Sequence, residues 1–250
     1  MRFYVVDAFT GEAFAGNAAG VVVLEEDRGD GWMQRVAAEM KHSETAFVRQ
    51  SGGVTSLRWF TPTTEVDLCG HATIAATQVL GGTQRYQTRS GVLTCTKGDD
   101  GWIEMDFPVD EPRQTDEDVS RILGDQTRFV GRSRENLFVE LADRNQVAQV
   151  EPDLQELKST WTGRMIVTAK GTTEDFVSRF FGPGVGVDED PVTGSAHCSL
   201  APYWTGKLGR KQLTGKQLSE RGGIVKTELQ NDRVLIRGRA VTVVSGELHV

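Results

Sequence analysis

One loop-to-helix passage occurs twice in this chain, and that repeat limits the fold more than any other feature. Glu65-Val66-Asp67-Leu68-Cys69-Gly70-His71-Ala72 leads from a polar, acid-bearing loop through small residues into an apolar run that ends at Leu80, where Gly81-Gly82 supplies the stop. Glu189-Asp190-Pro191-Val192-Thr193-Gly194-Ser195-Ala196 has the same form and runs into Cys198-Ser199-Leu200-Ala201-Pro202-Tyr203-Trp204. Gly70-His71-Ala72 superposes on Gly194-Ser195-Ala196 with an offset of 124, about half of the 250 residues, and Glu65 falls on Glu189 in that register. Downstream, Gly91-Val92-Leu93 matches Gly223-Ile224-Val225, and each opens a hairpin. Chance could supply one matching tripeptide, but a matching hairpin behind each copy is harder to obtain that way. The repeat therefore predicts two similar α+β halves about a pseudo-twofold axis.

Patterning along the chain fills in the elements. Phe3 to Val6, Ala19 to Leu24, Thr45 to Val48 and Leu57 to Phe60 read as strands, and Trp32, Val36, Ala37 and Met40 share one face of a helix that opens at Asp30 or Gly31. Gly91 to Lys97 and Trp102 to Phe107 form a hairpin around Gly98-Asp99-Asp100-Gly101. The stretch from Asp110 to Asp118 is polar and contains Pro112, which places the boundary there: residues 1–112 form the first half and 113–240 the second. In the second half Thr127 to Val130, Leu137 to Leu141, Arg164 to Ala169 and Asp175 to Phe181 read as strands, with a short helix ending near Trp161. Arg233 to Arg237 completes the second hairpin, and Val241 to Val244 is a last strand.

Both copies of the passage put glycine where a helix begins. Bare backbone N–H groups and the positive end of the helix dipole make such a turn a site for a carboxylate or another small anion. Two facing helix starts imply one small anionic substrate held between the halves. The chain has 28 basic and 35 acidic residues for a net charge of -7, which argues against nucleic acid as the main partner. No apolar run approaches membrane-spanning length, and the N-terminus carries no apolar leader segment. Cys69, Cys95 and Cys198 are too few and too scattered for a disulfide framework or a zinc site, so a reducing, cytoplasmic location is expected. The four histidines show no metal-ligand spacing, and no nucleotide or dinucleotide fingerprint is present.

Several residues carry two readings. His71 is either a loop residue or, at a helix N-terminus among small residues, a hydrogen-bond donor in a site. Glu44 is a solvated acid at a strand end or, if buried, a carboxyl with a raised pKa able to give and take a proton. Asp190 starts a turn before Pro191 or faces a substrate, and Ser195 is a helix cap or a ligand-binding hydroxyl. Cys69, next to a helix start, suits a thiol racemase, but the matching position of the second half is Thr193, so a two-thiol scheme is incomplete.

Taken together, Val6-Asp7-Ala8-Phe9 with Phe14-Ala15-Gly16-Asn17, Ser43-Glu44-Thr45-Ala46-Phe47, Phe60-Thr61-Pro62, Glu65 to Ala72, Glu189 to Ala196 and Arg221-Gly222-Gly223 resemble the PhzF-like family, the phenazine-biosynthesis isomerases and their relatives. The resemblance spans nearly the whole chain in family order. It implies a diaminopimelate-epimerase-like fold, each half a β-sheet wrapped around a central helix, with residues 241–250 returning to the first half. It implies Glu44 as the proton-shuttling acid and base, His71, Asp190 and Ser195 at the other active-site positions, no metal or organic cofactor, and a homodimer; Gly70 and Gly194 join the substrate-binding positions as the glycines of the two helix starts. The expected function is a cofactor-independent isomerase or epimerase acting on a small carboxylate. The alternatives are a Cys69-dependent racemase and a non-catalytic member that binds a ligand or partner.

Overall fold

The computed structural model describes residues 1–124 and 127–250. They form two compact units, Met1–Asp106 with Arg237–Val250 as unit 1 and Phe107–Ile236 as unit 2. The divisions lie at 106/107 and 236/237, against the 112/113 and 240/241 expected from the sequence.

Unit 1 begins with β1 (Arg2–Ala8) and antiparallel β2 (Asn17–Leu24), followed by α1 (Asp30–Met40) and by β3 (Thr45–Ser51) parallel to β2. β4 (Val54–Phe60) turns back on β3, and β5 (Glu65–Val66) folds against the end of β4. After α2 (Gly70–Leu80) come β6 (Thr83–Thr88), parallel to β4, and the antiparallel run of β7 (Gly91–Lys97) and β8 (Ile103–Pro108).

Unit 2 opens with β9 (Arg113–Gln114), α3 (Ser120–Leu123), β10 (Thr127–Arg132), β11 (Leu137–Leu141), α4 (Arg144–Gln149) and α5 (Leu154–Ser159). It continues with β12 (Met165–Lys170), β13 (Phe176–Gly182), β14 (Val187–Asp190), α6 (His197–Leu208), β15 (Gln212–Gln217), β16 (Gly223–Gln230) and β17 (Arg233–Gly238). Finally β18 (Ala240–Glu247) returns to unit 1 and pairs antiparallel with β1, from Arg2 opposite Glu247 to Ala8 opposite Ala240.

The two units repeat each other pair by pair. The antiparallel β1–β2 pair corresponds to β10–β11, the parallel β2–β3 pair to β11–β12, and the antiparallel β3–β4 pair to β12–β13. The parallel β4–β6 pair corresponds to β13–β15, and the antiparallel β6–β7 pair to β15–β16. The repetition reaches single side chains. Arg58 on β4 forks onto Glu65 at 2.7 and 2.7 Å and lies over the Phe60 ring. Arg179 on β13 forks onto Glu189 at 2.7 and 2.8 Å and lies over the Phe181 ring. Each clamp fixes the strand that leads into the helix start.

In unit 1 the strands surround α2, which touches β1, β2, β3, β6, β7 and β18. A helix enclosed in this way has no polar face, and every residue from His71 to Thr77 is buried. Its threonine hydroxyls are satisfied inside the helix: Thr73 donates to the Cys69 carbonyl at 2.6 Å and Thr77 to the Thr73 carbonyl at 2.9 Å. α1 packs Met33, Val36 and Ala37 on Val22, Phe47 and Phe60.

In unit 2 the sheet is covered on both faces, so β11 is buried at every residue rather than at alternate ones, with Glu140 its one polar side chain. Leu137, Val139 and Leu141 face a core with Val147 of α4 and Leu157 of α5. Phe138 faces the other core, with Leu200 and Trp204 of α6. Pro202 sits inside α6 and lacks the N–H that would bond the Cys198 carbonyl; the Asp110 N–H donates to that carbonyl at 3.0 Å instead.

Candidate active site

The catalytic candidates of unit 1 meet at the first turn of α2. Cys69 is the residue just before the helix, in extended backbone, and Gly70 is its first helical residue. Glu44 comes from the segment between α1 and β3; Lys41 ends α1 in the left-handed conformation, and the Glu44 carbonyl accepts a hydrogen bond from the Gly20 N–H at 3.3 Å. The Glu44 carboxylate Oε2 lies 3.3 Å from His71 Nε2, while the other ring nitrogen, Nδ1, lies 3.5 Å from Cys69 Sγ. Ser43 Oγ stands 3.4 Å from His71 Nε2 and donates to Asn17 Oδ1 at 3.4 Å.

The Glu44 side chain is 19% exposed and that of His71 7% exposed, so the carboxyl is largely dry but still reachable from solvent. Burial raises the Glu44 pKa above 4.5, and hydrogen bonds from Ser43 and Cys69 partly offset that rise. The result is a carboxyl that releases its proton less readily than an exposed one, which is what a group alternating between base and acid needs.

The turn between β1 and β2 delivers Asn17 through a strained path. Phe9 and Phe14 adopt positive φ angles of 62 and 69°, and the buried Asp7 carboxylate accepts a hydrogen bond from the Phe14 N–H at 2.7 Å. Gly16 has φ of 65°, and a Cβ there would stand 2.1 Å from the Ala8 carbonyl oxygen, so only glycine fits. This accounts for the sequence Phe14-Ala15-Gly16-Asn17. Asn17 and Ser43 belong to the cluster, although the residue-type reading did not select them; their positions inside the matching motifs were the available signal.

Unit 2 holds Asp190, Gly194 and Ser195 around a different frame. Asp190 ends β14, half-buried, and its carboxylate accepts a hydrogen bond from the Thr193 hydroxyl. Gln217 of β15 ties the loop together: its Nε2 donates to the Asp190 carbonyl at 2.7 Å and its Oε1 accepts from the Thr193 N–H at 2.9 Å. Ser219 Oγ donates to the Pro191 carbonyl at 2.6 Å and accepts from the Gly222 N–H at 3.0 Å, which explains the Arg221-Gly222-Gly223 turn. Gly194 is buried and Ser195 exposed. α6 begins at His197, after a tighter turn in which the His197 N–H donates to the Gly194 carbonyl, so Ser195 lies ahead of the helix rather than capping it. His197 is fully buried, and burial pushes its pKa down to about 4, against a weaker opposing effect from the Thr193 carbonyl beside Nδ1. It is neutral at physiological pH and braces the loop.

Glu44, Cys69 and His71 each offer a ligand atom, and these atoms all lie within 4.8 Å of one another; among the described residues this is the group able to hold a metal ion. Spacing along the chain did not reveal it, because Glu44 arrives from another element. Among the described residues no helix is long and apolar enough to cross a membrane.

The family model described as phenazine biosynthesis-like protein matches residues 6–246. An uncharacterized isomerase of Halalkalibacterium halodurans is 47% identical, covering 98% of this chain and 97% of its own length. An uncharacterized isomerase of Pseudomonas aeruginosa is 44% identical over 100% of this chain and 99% of its own. The crystal structure of a phenazine biosynthesis protein, PhzF family, from Enterococcus faecalis superposes with a TM-score of 0.96 at 40% identity, covering 100% of this chain and 99% of that one.

Proposed function

The chain belongs to the phenazine biosynthesis-like (PhzC-PhzF) family and has its diaminopimelate-epimerase-like fold, and on that premise we propose that it is a cofactor-independent isomerase or epimerase that moves a proton on a small carboxylate-containing substrate. The observation that carries the reading is the Glu44 carboxyl, mostly buried, raised in pKa and 3.3 Å from His71 Nε2 at the start of α2. Glu44 takes a proton from a carbon beside an activating group and returns it to another position or to the opposite face. His71 holds the carboxylate in place through Nε2, and the backbone N–H groups of the Gly70 turn favour negative charge as it develops. Gly70 and His71 of unit 1 and Asp190, Gly194 and Ser195 of unit 2 are the proposed substrate-binding positions. The proposal includes a homodimer in the cytoplasm.

A second reading is favoured by one contact, Cys69 Sγ at 3.5 Å from His71 Nδ1, which suits a thiol acting as the proton carrier. Solvent-deuterium incorporation into a panel of amino and hydroxy acids separates the readings. Wild-type protein places deuterium in its substrate, Glu44→Gln loses about 10²–10⁴-fold of that rate, and Cys69→Ala keeps most of it. Full exchange by Glu44→Gln together with loss in Cys69→Ala makes the thiol the proton carrier. Binding of a panel member without any exchange makes this a ligand-binding protein.

A further inference from the structure

We infer that Glu44, Cys69 and His71 form a site for a divalent cation of the zinc class, and that a cation seated there blocks the proton transfer proposed above. The three donors are a carboxylate oxygen, a thiol sulfur and an imidazole nitrogen, all within 4.8 Å of one another. Tetrahedral Zn²⁺, with bonds of about 2.0–2.3 Å, holds such ligands about 3.4–3.6 Å apart. The Cys69 Sγ–His71 Nδ1 distance of 3.5 Å already lies in that range, whereas the 3.3 Å contact of Glu44 is to the other ring nitrogen, Nε2, which cannot bind the same ion as Nδ1. The imidazole contributes one of its two nitrogens, and the third ligand closes by rotation of the Glu44 side chain.

Donor chemistry selects the ion. Oxygen-loving Mg²⁺ and Ca²⁺ gain little from a thiol and an imidazole, whereas Zn²⁺, Co²⁺ and Cd²⁺ bind this mixture well. The ligands come from two packed elements, the segment entering β3 and the first turn of α2, so little order is lost on binding. Three protein ligands leave the fourth position open, the arrangement of a metal site that still meets solvent. Binding displaces the thiol proton and occupies the carboxylate that carries the proton in catalysis. The blocking effect rests on the proposed function; the binding itself does not.

The test uses the full-length protein and Co²⁺ as the probe. Wild type should take up one Co²⁺ with a thiolate-to-metal charge-transfer band in the near ultraviolet. Cys69→Ser should abolish the band and Cys95→Ser should keep it. His71→Asn and Glu44→Gln should weaken binding by more than the roughly ten- to hundredfold typical of changes outside the ligand shell. Absence of a band in wild type, or its survival in Cys69→Ser, overturns the inference. A second measurement does not depend on a variant folding: Zn²⁺ should protect Cys69 of wild type from iodoacetamide, read by peptide mass spectrometry, and unchanged alkylation overturns the site. Saturating Zn²⁺ should also suppress deuterium exchange, and exchange that persists with the ion bound overturns the blocking effect. Glu44→Gln exchanging at the wild-type rate would remove the acid–base reading and leave the Co²⁺ band as its own evidence. A missing band beside an inactive Glu44→Gln removes the metal site alone.

Discussion

Replacing Glu65 by glutamine should weaken the protein by about 2 kcal/mol and disturb the candidate site without touching it. Glu65 is 12% exposed and accepts three guanidinium hydrogen bonds, two from Arg58 at 2.7 Å each and one from Arg89 at 2.8 Å. A hydrogen bond to a charged group contributes roughly 1.5–3 kcal/mol. The lower part of that range applies, because the Arg58 side chain is 29% exposed and keeps a second partner in Asp30 at 2.8 Å, and Arg89 is 56% exposed. Glutamine retains one acceptor and turns an N–H₂ group toward a cation. About 2 kcal/mol in a chain of 250 residues shifts the melting temperature by roughly 4–8 °C.

The effect carries a pH signature. The Arg58 hydrogen bonds hold the Glu65 pKa below 4.5 in the folded chain. Its contribution is therefore complete above 4.5 and is lost as pH falls through the lowered value. Urea unfolding of wild type and Glu65→Gln at neutral pH and at successively lower pH measures the difference directly. It should be largest at neutral pH and shrink in acid. Because β5 feeds directly into Cys69 and Gly70, the variant should also lower the rate of exchange more than the affinity for a bound acid. A difference below about 0.5 kcal/mol, the scatter of ordinary surface substitutions, or one that does not change with pH, refutes the clamp.

Burial raises the Glu44 pKa, so the stability tied to its proton is complete below 4.5 and lost as pH rises through the raised value. Glu44→Gln should therefore gain stability over wild type as pH rises toward neutral, in thermal unfolding, while losing exchange; a stability difference independent of pH contradicts the burial argument. The acid limb of the wild-type exchange rate should lie above the ordinary carboxylate range and vanish in Glu44→Gln. Gly16→Ala combines a positive φ with a 2.1 Å clash and should destabilise by about 2–4 kcal/mol in urea unfolding; an unchanged midpoint means the turn relaxes. Exhaustive chelation should leave exchange intact, and loss that zinc restores would make the cation a cofactor.

The repeat was legible because glycine stands at the start of α2 and shortly ahead of α6, and because the hairpins behind them are rich in β-branched residues. The apolar runs, such as Ala19 to Leu24, announced their strands. β6 and β15 were not legible. Thr83–Thr88 contains Tyr86 as its one large buried side chain, and Gln212–Gln217 contains Leu213, so neither shows a hydrophobic alternation. Parallel pairing with β4 and β13 holds them through the backbone, which a side-chain pattern does not register. The Arg58–Glu65 and Arg179–Glu189 clamps were missed because the glutamates repeat at 124 residues and the arginines at 121. At the candidate site, Glu44 and His71 were legible through motifs, but their meeting with Cys69 and Ser43 depends on the path of two separate elements.

The place of β18 has a consequence for synthesis. Unit 2 is one continuous run of chain, whereas unit 1 needs its final strand beside β1, with Leu248 bonded back to Met1. On the ribosome, domains generally fold in order from the N-terminus as they emerge. Here that order is inverted: the later-made unit has its strands first, and the unit carrying Glu44 and His71 waits, with β1 open along one edge, until β18 leaves the exit tunnel. The nascent chain therefore exposes an unpaired strand edge until β18 is made.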